Sequence, residues 1–553
     1  MGLWYDFRTM SRPRSLTAAV FVVVVSAFVG GYFGQSALAT QNRALDRYRV
    51  FTDALAAIEQ QYVEPVESDR VVYSAISGML QTLDPHSNFL DPRTYAQLRE
   101  RQEGRYYGLG ITIQVIDGDI TVAALFEGSP AYRKGIRRGD VIARIKGQDT
   151  KGWTSDQAVA LLRGPKGSTV DISIRRKGND QLIDLVVERD EISIPTIQGV
   201  VMLDAKTGYI RLRDFSETTD RDLGRAIETL SGKGMTQLLL DLRDNPGGPL
   251  DQAIRVSNRF LPRGDMIVYT RGRVPKSDED YRASDEPTVP DMPVVVLVNR
   301  NSASAAEIVS GALQDHDRAL VVGETTFGKA LVQSIYRISQ GAGLALTTAR
   351  YYTPSGRLIQ RPWDGTFDEY LSYSLKEQEQ PRQHDAALEK LTDSGRKVYS
   401  GGGIEPDRFM PGPVEGFNPS RFGRSVYARQ FFANYAQRYS AEGDTRPGAQ
   451  GKDRQYVARN FEVTDAMVAD FRNFLVSERV RMDETAFTAD AEFIRAMIRY
   501  DIDLALFGVE DARKHLLARD PQAQFALSQF GEATRLSEAA RKGRVTANRA
   551  GGR

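Results

Sequence analysis

Three stretches of this chain place reactive side chains beside backbone suited to holding charge. Leu240-Asp241-Leu242-Arg243-Asp244-Asn245-Pro246-Gly247-Gly248 reads as an apolar strand ending in a tight turn, whose glycines leave backbone N–H groups uncovered. Val298-Asn299-Arg300-Asn301-Ser302-Ala303-Ser304-Ala305-Ala306-Glu307 reads as a buried strand entering a helix through small residues. A hydroxyl there sits at a helix N-terminus, where free N–H groups and the dipole favour a developing negative charge, although Ser302 or Ser304 would serve equally well as a plain helix cap. Gly323-Glu324-Thr325-Thr326-Phe327-Gly328-Lys329-Ala330 sets Lys329 between two strand-like runs, Ala319–Val322 and Leu331–Tyr336. A lysine acts as a general base only when burial and neighbours lower its pKa toward neutrality, and an apolar flank provides that setting. The chemistry suggested is attack on a carbonyl by an activated serine. A phosphate loop is the competing reading of the same eight residues, but Ala330 has no hydroxyl for Mg²⁺ and a strand, not a helix, follows.

Composition narrows the other choices. Cysteine is absent, which excludes thiol nucleophiles and Cys-ligated metal, and His86, His316, His384 and His515 are the only histidines. A histidine base for Ser304 would have to be His316, which lies 12 residues further along the same predicted helix. That is roughly 18 Å at 1.5 Å per residue, too far for proton transfer. His86 is read as a structural residue of its own loop. No metal and no cofactor is expected. With 73 Lys+Arg against 72 Asp+Glu the formal charge is +1, so no global field draws the protein to nucleic acid.

A chain of 553 residues holds several folded units, at roughly 100–200 residues for each. Ser15 to Asn42 carries no charge and Leu16 to Phe33 is almost continuously apolar, after Arg8, Arg12 and Arg14. Residues 1–40 therefore read as a signal peptide, with Ala37-Leu38-Ala39 as a cleavage site, or as an N-terminal membrane anchor; either sends the remainder out of the cytoplasm. Helical spacing marks an N-terminal region over 41–104, and short β-branched runs split by glycines mark a β-rich domain over 105–190. Strands alternate with helices over 191–412, the pattern of a parallel α/β sheet, interrupted by a polar segment at about 363–398 that reads as a surface insertion. The remainder, 413–553, is a helical extension with a linker at Gly443–Asp453 and a basic end (Arg541, Lys542, Arg544, Arg549, Arg553) expected to be disordered. Its stripes, Met467/Val468, Phe471, Phe474/Leu475, Phe493/Ile494, Met497/Ile498 and Ile502, are too regular to stay wet, so a homo-oligomer built through these helices is expected.

From about Phe51 to Asp407 the chain resembles the S41 family of serine proteases, the carboxyl-terminal processing peptidases. The resemblance rests on Leu83-Asp84-Pro85-His86-Ser87, the Asp244-Asn245-Pro246-Gly247-Gly248 turn, Ser302-Ala303-Ser304-Ala305-Ala306-Glu307, and the glycine-lysine segment ending in Lys329. Thr347-Thr348-Ala349-Arg350-Tyr351-Tyr352-Thr353-Pro354-Ser355-Gly356-Arg357 and Gly403-Ile404-Glu405-Pro406-Asp407 add to it, all in family order. It implies a crotonase-like α/β core, with Ser304 as nucleophile, Lys329 as base 25 residues later, and Gln333 orienting the lysine. Gly247, Gly248 and Ala305 are the implied oxyanion donors. The β-rich domain resembles a PDZ module of the bacterial kind, in which Gly108-Leu109-Gly110-Ile111 would capture a chain terminus while an edge strand pairs with the peptide. Gly128-Ser129-Pro130-Ala131 and Gly139-Asp140-Val141-Ile142 fit it as well. The partners implied are proteins or peptides with free C-termini, at or near a membrane, with or without an adaptor. Two other functions fit less of the sequence. A silent PDZ scaffold would not need Ser304, Lys329 and Gln333 together, and a crotonase-like acyl-CoA enzyme would need neither the PDZ module nor the export segment.

Overall fold

The computed structural model describes residues 46–551 apart from 177, 290, 364–368, 371, 376–377, 379, 383–384, 413–418 and 443–456. The expected export segment, the linker and Arg553 lie outside the described residues. The chain divides into Met1–Leu83 and Asp84–Arg553. The first unit contributes a helix over 46–61 and a second at Ser68–Gln81. Among the described residues no helix is long and apolar enough to cross a membrane.

The second unit is organised by a six-stranded sheet, in the order Ile197–Met202, Thr207–Leu212, Gln237–Asp241, Val294–Val298, Leu320–Gly323 and Arg408–Phe409. The first pair is antiparallel and the others parallel. The central strands are unbroken apolar runs because both faces are covered, and successive side chains serve opposite layers. Leu238, Leu240, Val294, Val296 and Val298 pack with Leu223, Val256 and Val309, from the helices Thr219–Gly232, Leu250–Asn258 and Ala305–Asp315. Leu239, Val295, Leu297, Leu320 and Val322 pack instead with Leu517, Ala523, Ala526, Phe530 and Ala533 of three C-terminal helices, Val509–Arg519, Pro521–Ser528 and Phe530–Gly551. The extension is thus the second cover of the central sheet.

The β-rich domain is a sheet in the order Ile111–Ile116, Asp119–Leu125, Val141–Ile145, Thr169–Arg175 and Ile183–Glu188, closed over Ile120, Val122, Ile142, Val170, Ile172 and Ile174. Arg105–Gly108 pairs antiparallel with Asp190–Ser193, so the chain enters and leaves the domain side by side. A further sheet is built on the long strand Gly343–Tyr352. Leu331–Arg337 pairs along one edge of it, and Asn88–Leu90 and Met266–Gly272 follow one another along the other edge. This sheet brings the Asp84–Ser87 loop next to the strand that carries Gln333. The fold is a multidomain α/β protein with an inserted β-rich domain and helical regions before and after.

Three expectations are corrected. The apolar stripes of the extension are covered by each other: Phe471, Phe474, Leu475, Phe493, Ile494, Met497, Ile498 and Ile502 form one core with Phe432 and Tyr435, in which the Phe432 and Phe471 rings stack at 4.9 Å. Helices Phe431–Glu442, Asp465–Ser477 and Ala491–Leu506 turn these faces inward, which removes the apolar argument for an assembly through them. The basic end is ordered as helix, since Arg541, Lys542, Arg544 and Arg549 fall within Phe530–Gly551, a segment filled with helix-forming Ala, Glu, Arg and Lys. The insertion is not wholly a surface feature either, for Tyr370 is buried.

Candidate active site

Ser304 stands where the strand Val294–Val298 turns into the helix Ala305–Asp315. The structure distinguishes the two serines of that turn. Ser302 is fully buried, and its Oγ donates to Leu242 O at 2.8 Å while accepting from Asn299 N at 3.0 Å. Ser304 is half-buried, with φ 54° and ψ −114°. Such a backbone costs a non-glycine residue on the order of 1–3 kcal/mol and persists only where its surroundings hold it.

What holds it is a buried carboxylate. Glu307 Oε2 accepts from Ser304 N at 2.8 Å and from Lys329 N at 2.9 Å. Its Oε1 accepts from Thr326 Oγ1 and from Gly328 N, each at 2.6 Å. Burial pushes Glu307 up to about 7, while all four donors favour the charged form. At the opposite side of the same two residues, Tyr351 Oη bonds Lys329 O and lies 3.2 Å from Ser304 O. One carboxylate oxygen and one phenol therefore tie the main chains of Ser304 and Lys329 together at both their N–H and C=O groups.

Lys329 Nζ donates to Gln333 Oε1 at 2.9 Å, so the structure brings together two of the residues expected to work as base and orienter. Lys329 is half-buried, and enough protein surrounds its amine that desolvation is the largest influence on it. Burial holds the Lys329 amine below the usual lysine range, against the opposing charges of Glu307 and Asp84. Gln333 Nε2 in turn donates to His86 O. His86 belongs to an Asx turn in which Asp84 Oδ1 accepts from His86 N and Ser87 N, both at 2.8 Å.

The Asp244–Gly248 turn comes against Ser304 from the neighbouring strand. Gly247 has φ 94°, and a Cβ there would lie 2.7 Å from Ser304 Cβ and 2.8 Å from Ala305 N, so only glycine permits the approach. The expected set of oxyanion donors is narrowed, because Gly247 N already donates to Asn245 Oδ1 at 2.8 Å. Gly248 N and Ala305 N make no hydrogen bond to another described residue. His316, the rejected alternative base, caps the far end of the helix, with Nδ1 2.7 Å from Asp393 Oδ2 and Nε2 2.7 Å from Met266 O.

In the β-rich domain, Gly108 ends the strand Arg105–Gly108, Leu109 is buried, and Gly110 takes φ 74°, where a Cβ would meet Ser129 Cβ at 2.3 Å. Ile111 opens a strand whose outer edge pairs with no described strand, and the helix Ser155–Leu162 packs beside it. That is the geometry β-strand addition requires. Sequence reasoning assigned no role to Glu307 or Tyr351. For Glu307 a signal was present, a Ser with a Glu three residues later at a helix start; Tyr351 falls within one of the family-like segments, but its residue type alone does not mark this contact.

Comparison with known proteins matches residues 206–366 to the model of peptidase family S41, residues 97–175 to the PDZ domain, and residues 33–94 to the N-terminal domain of the activating protease CtpB. A carboxy-terminal-processing protease of Bartonella bacilliformis is 39% identical over 346 residues, which span 60% of this chain and 79% of that protein. The carboxy-terminal processing protease CtpA of Bacillus subtilis is 36% identical over 353 residues, 63% of this chain and 74% of that one. Among solved structures, a photosystem II D1 C-terminal processing protease is 30% identical with a TM-score of 0.32, covering 56% of this chain and 90% of its own.

Proposed function

Since this chain belongs to peptidase family S41, among the carboxyl-terminal processing proteases, we propose that it is a serine endopeptidase that cleaves near the C-termini of protein substrates with Ser304 as nucleophile and Lys329 as base. The observation that carries the reading is the double tie of Ser304 and Lys329 through Glu307 and Tyr351, with the amine held below the usual lysine range by burial. In this mechanism neutral Lys329 takes the proton of Ser304 Oγ as the oxygen attacks the substrate carbonyl. The oxyanion accepts from Gly248 N and Ala305 N. The Lys329 ammonium then protonates the departing amine, leaving an acyl-enzyme on Ser304. Water that gives its proton to Lys329 attacks the ester, and the same proton returns to Ser304 Oγ as the acid product leaves. Gln333 orients the lysine and does not react.

Residues 105–190 act in this reading as the PDZ module that admits free chain ends, capturing the terminal carboxylate at Gly108–Ile111 and adding the peptide to the edge of Ile111–Ile116. The core spans 191–412 and the helical cover 413–553. The charge-free run Leu16–Phe33 behind three arginines supports export from the cytoplasm, by a signal peptide or anchor, to the periplasmic side. A scaffold that binds tails without cutting them is the second reading. Cleavage of a free-acid peptide by the purified chain, lost in Ser304→Ala and in Lys329→Ala but kept in His316→Ala, is the expected result. Survival of activity in Lys329→Ala would overturn the dyad.

A further inference from the structure

The polar insertion reaches the back of the proposed base. Tyr370 Oη lies 2.8 Å from His86 Nε2, and Gln360 Nε2 donates to the same Oη at 3.0 Å. The Tyr370 hydroxyl, already accepting from Gln360, and the neutral His86 imidazole share one hydrogen bond, whose donor is set by the imidazole tautomer. Burial and the nearby Lys329 keep His86 uncharged, with its pKa at about 4. From His86 the chain of bonds is short: its carbonyl accepts from Gln333 Nε2, and Gln333 Oε1 accepts from Lys329 Nζ. An amide engaged through its nitrogen on His86 presents its oxygen to the lysine in one orientation only.

The insertion is also pinned to the loop that delivers Lys329. Gln378 exchanges two hydrogen bonds with the main chain of Thr325, each of 2.9 Å. The Arg361 guanidinium lies 4.5 Å from the Phe327 ring centroid, 4.4 Å from Tyr370 and 3.7 Å from Tyr373. Tyr370 and Phe327 meet edge to face at 5.8 Å. The ring that carries this hydroxyl is thus packed between Phe327 and Arg361.

We propose that Tyr370 is a positioning residue for Lys329, acting through His86 and Gln333, so that the inserted segment sets the orientation of the catalytic base. The proposal rests on the reading of Lys329 as that base. Tyr370→Phe is the direct test, because it keeps the ring that packs on Phe327 and Arg361 and removes only the hydroxyl. On a free-acid peptide, kcat should fall about tenfold, part of the roughly 10²–10⁴ that a placed general base supplies, with KM within about twofold of native. The acid limb of the rate profile should move to lower pH, since an amine whose acceptor is loosened holds its proton less tightly. Of the other charged groups around Lys329 and His86, Glu307 and Asp84 are untouched by this change, while Arg361 loses its interaction with the hydroxyl and keeps the Tyr370 ring and main-chain oxygen. In a Gln333→Ala background Tyr370→Phe should have no further effect, because its influence passes through Gln333. Native kcat with an unmoved acid limb in Tyr370→Phe, or full additivity with Gln333→Ala, would overturn the proposal. Lys329→Met run alongside separates the two levels: activity surviving there sinks the dyad and this role with it, whereas activity lost there but native in Tyr370→Phe sinks the positioning role alone.

Discussion

Glu307→Gln tests whether the buried carboxylate is what assembles the proposed dyad. The carboxylate divides four donors between its two oxygens, Thr326 Oγ1 and Gly328 N on one, Ser304 N and Lys329 N on the other. An amide has a single accepting oxygen, so its NH₂ group faces either Ser304 N and Lys329 N, two donors left unmade, or Gly328 N and a Thr326 hydroxyl that can turn to accept, one donor left unmade. A buried donor left unmade costs about 1–3 kcal/mol, so the loss is about 2–6 kcal/mol in the first orientation and about 1–3 kcal/mol in the second. Against this stands the relief of burying no charge: a pKa raised from the usual 4.5 to about 7 marks roughly 3 kcal/mol against the carboxylate, which the amide does not carry. The two terms nearly cancel. Urea unfolding of Glu307→Gln at neutral pH should therefore place it between about 2 kcal/mol more stable and about 3 kcal/mol less stable than native. Catalysis has no such compensation. Either Ser304 and Lys329 lose their shared anchor or the Thr326–Gly328 loop does, and misplacement near 1 Å is enough for about a hundredfold loss in kcat/KM. The acid limb should also move to lower pH, because the Glu307 charge now raises the Lys329 pKa. Native kcat/KM in a folded Glu307→Gln would refute the reasoning.

Other consequences follow from the same geometry. Burial lowers the Lys329 pKa, so the folded state binds that proton less tightly than the unfolded chain. Its stability falls as pH drops below the usual lysine pKa of about 10.4, down to the folded value. Lys329→Met removes the penalty, and its urea midpoint should exceed the native one at neutral pH and converge with it in strong base; a lower midpoint at neutral pH would contradict the burial argument. Amidating a substrate's C-terminus should weaken its KM by depriving Gly108–Ile111 of a carboxylate, and equal cleavage of amide and acid would rule out tail reading. Phe530→Ala, at a site 6% exposed on the covered face of the central sheet, should cost about 3–5 kcal/mol by urea unfolding; a loss below about 1 kcal/mol would mean the C-terminal cover adds little to the sheet.

What the sequence discloses and what it conceals divide along a physical line. Val294–Val298 is legible as a strand covered on both faces, because continuous burial demands a continuous apolar run. The stripes of Asp465–Ser477 and Ala491–Leu506 are legible as buried for a similar reason. Periodicity reports that a face is covered and is silent on what covers it, which is why a second subunit was expected where the helices cover one another. The positive φ of Ser304 is only partly written in its neighbours: Glu307 stands three residues along the same helix, but Gly247 and Tyr351 arrive from other elements. His86 was read as structural, and its ring is neutral and bonded to Tyr370, but the group that matters to Gln333 is its carbonyl, which every residue possesses and no residue type reveals. The insertion carries this furthest. Its average polarity indicated a solvated surface, and an average is insensitive to the few side chains that depart from it. Among the described residues Tyr370 and Val398 are buried apolar or aromatic side chains of the segment, and Tyr373, Gln378 and Arg396 add contacts to Arg361, Thr325 and Asp317. A polar segment can dock through a handful of anchors, because polar side chains that stay in water pay no burial cost, so average composition does not disclose which side chains are the anchors.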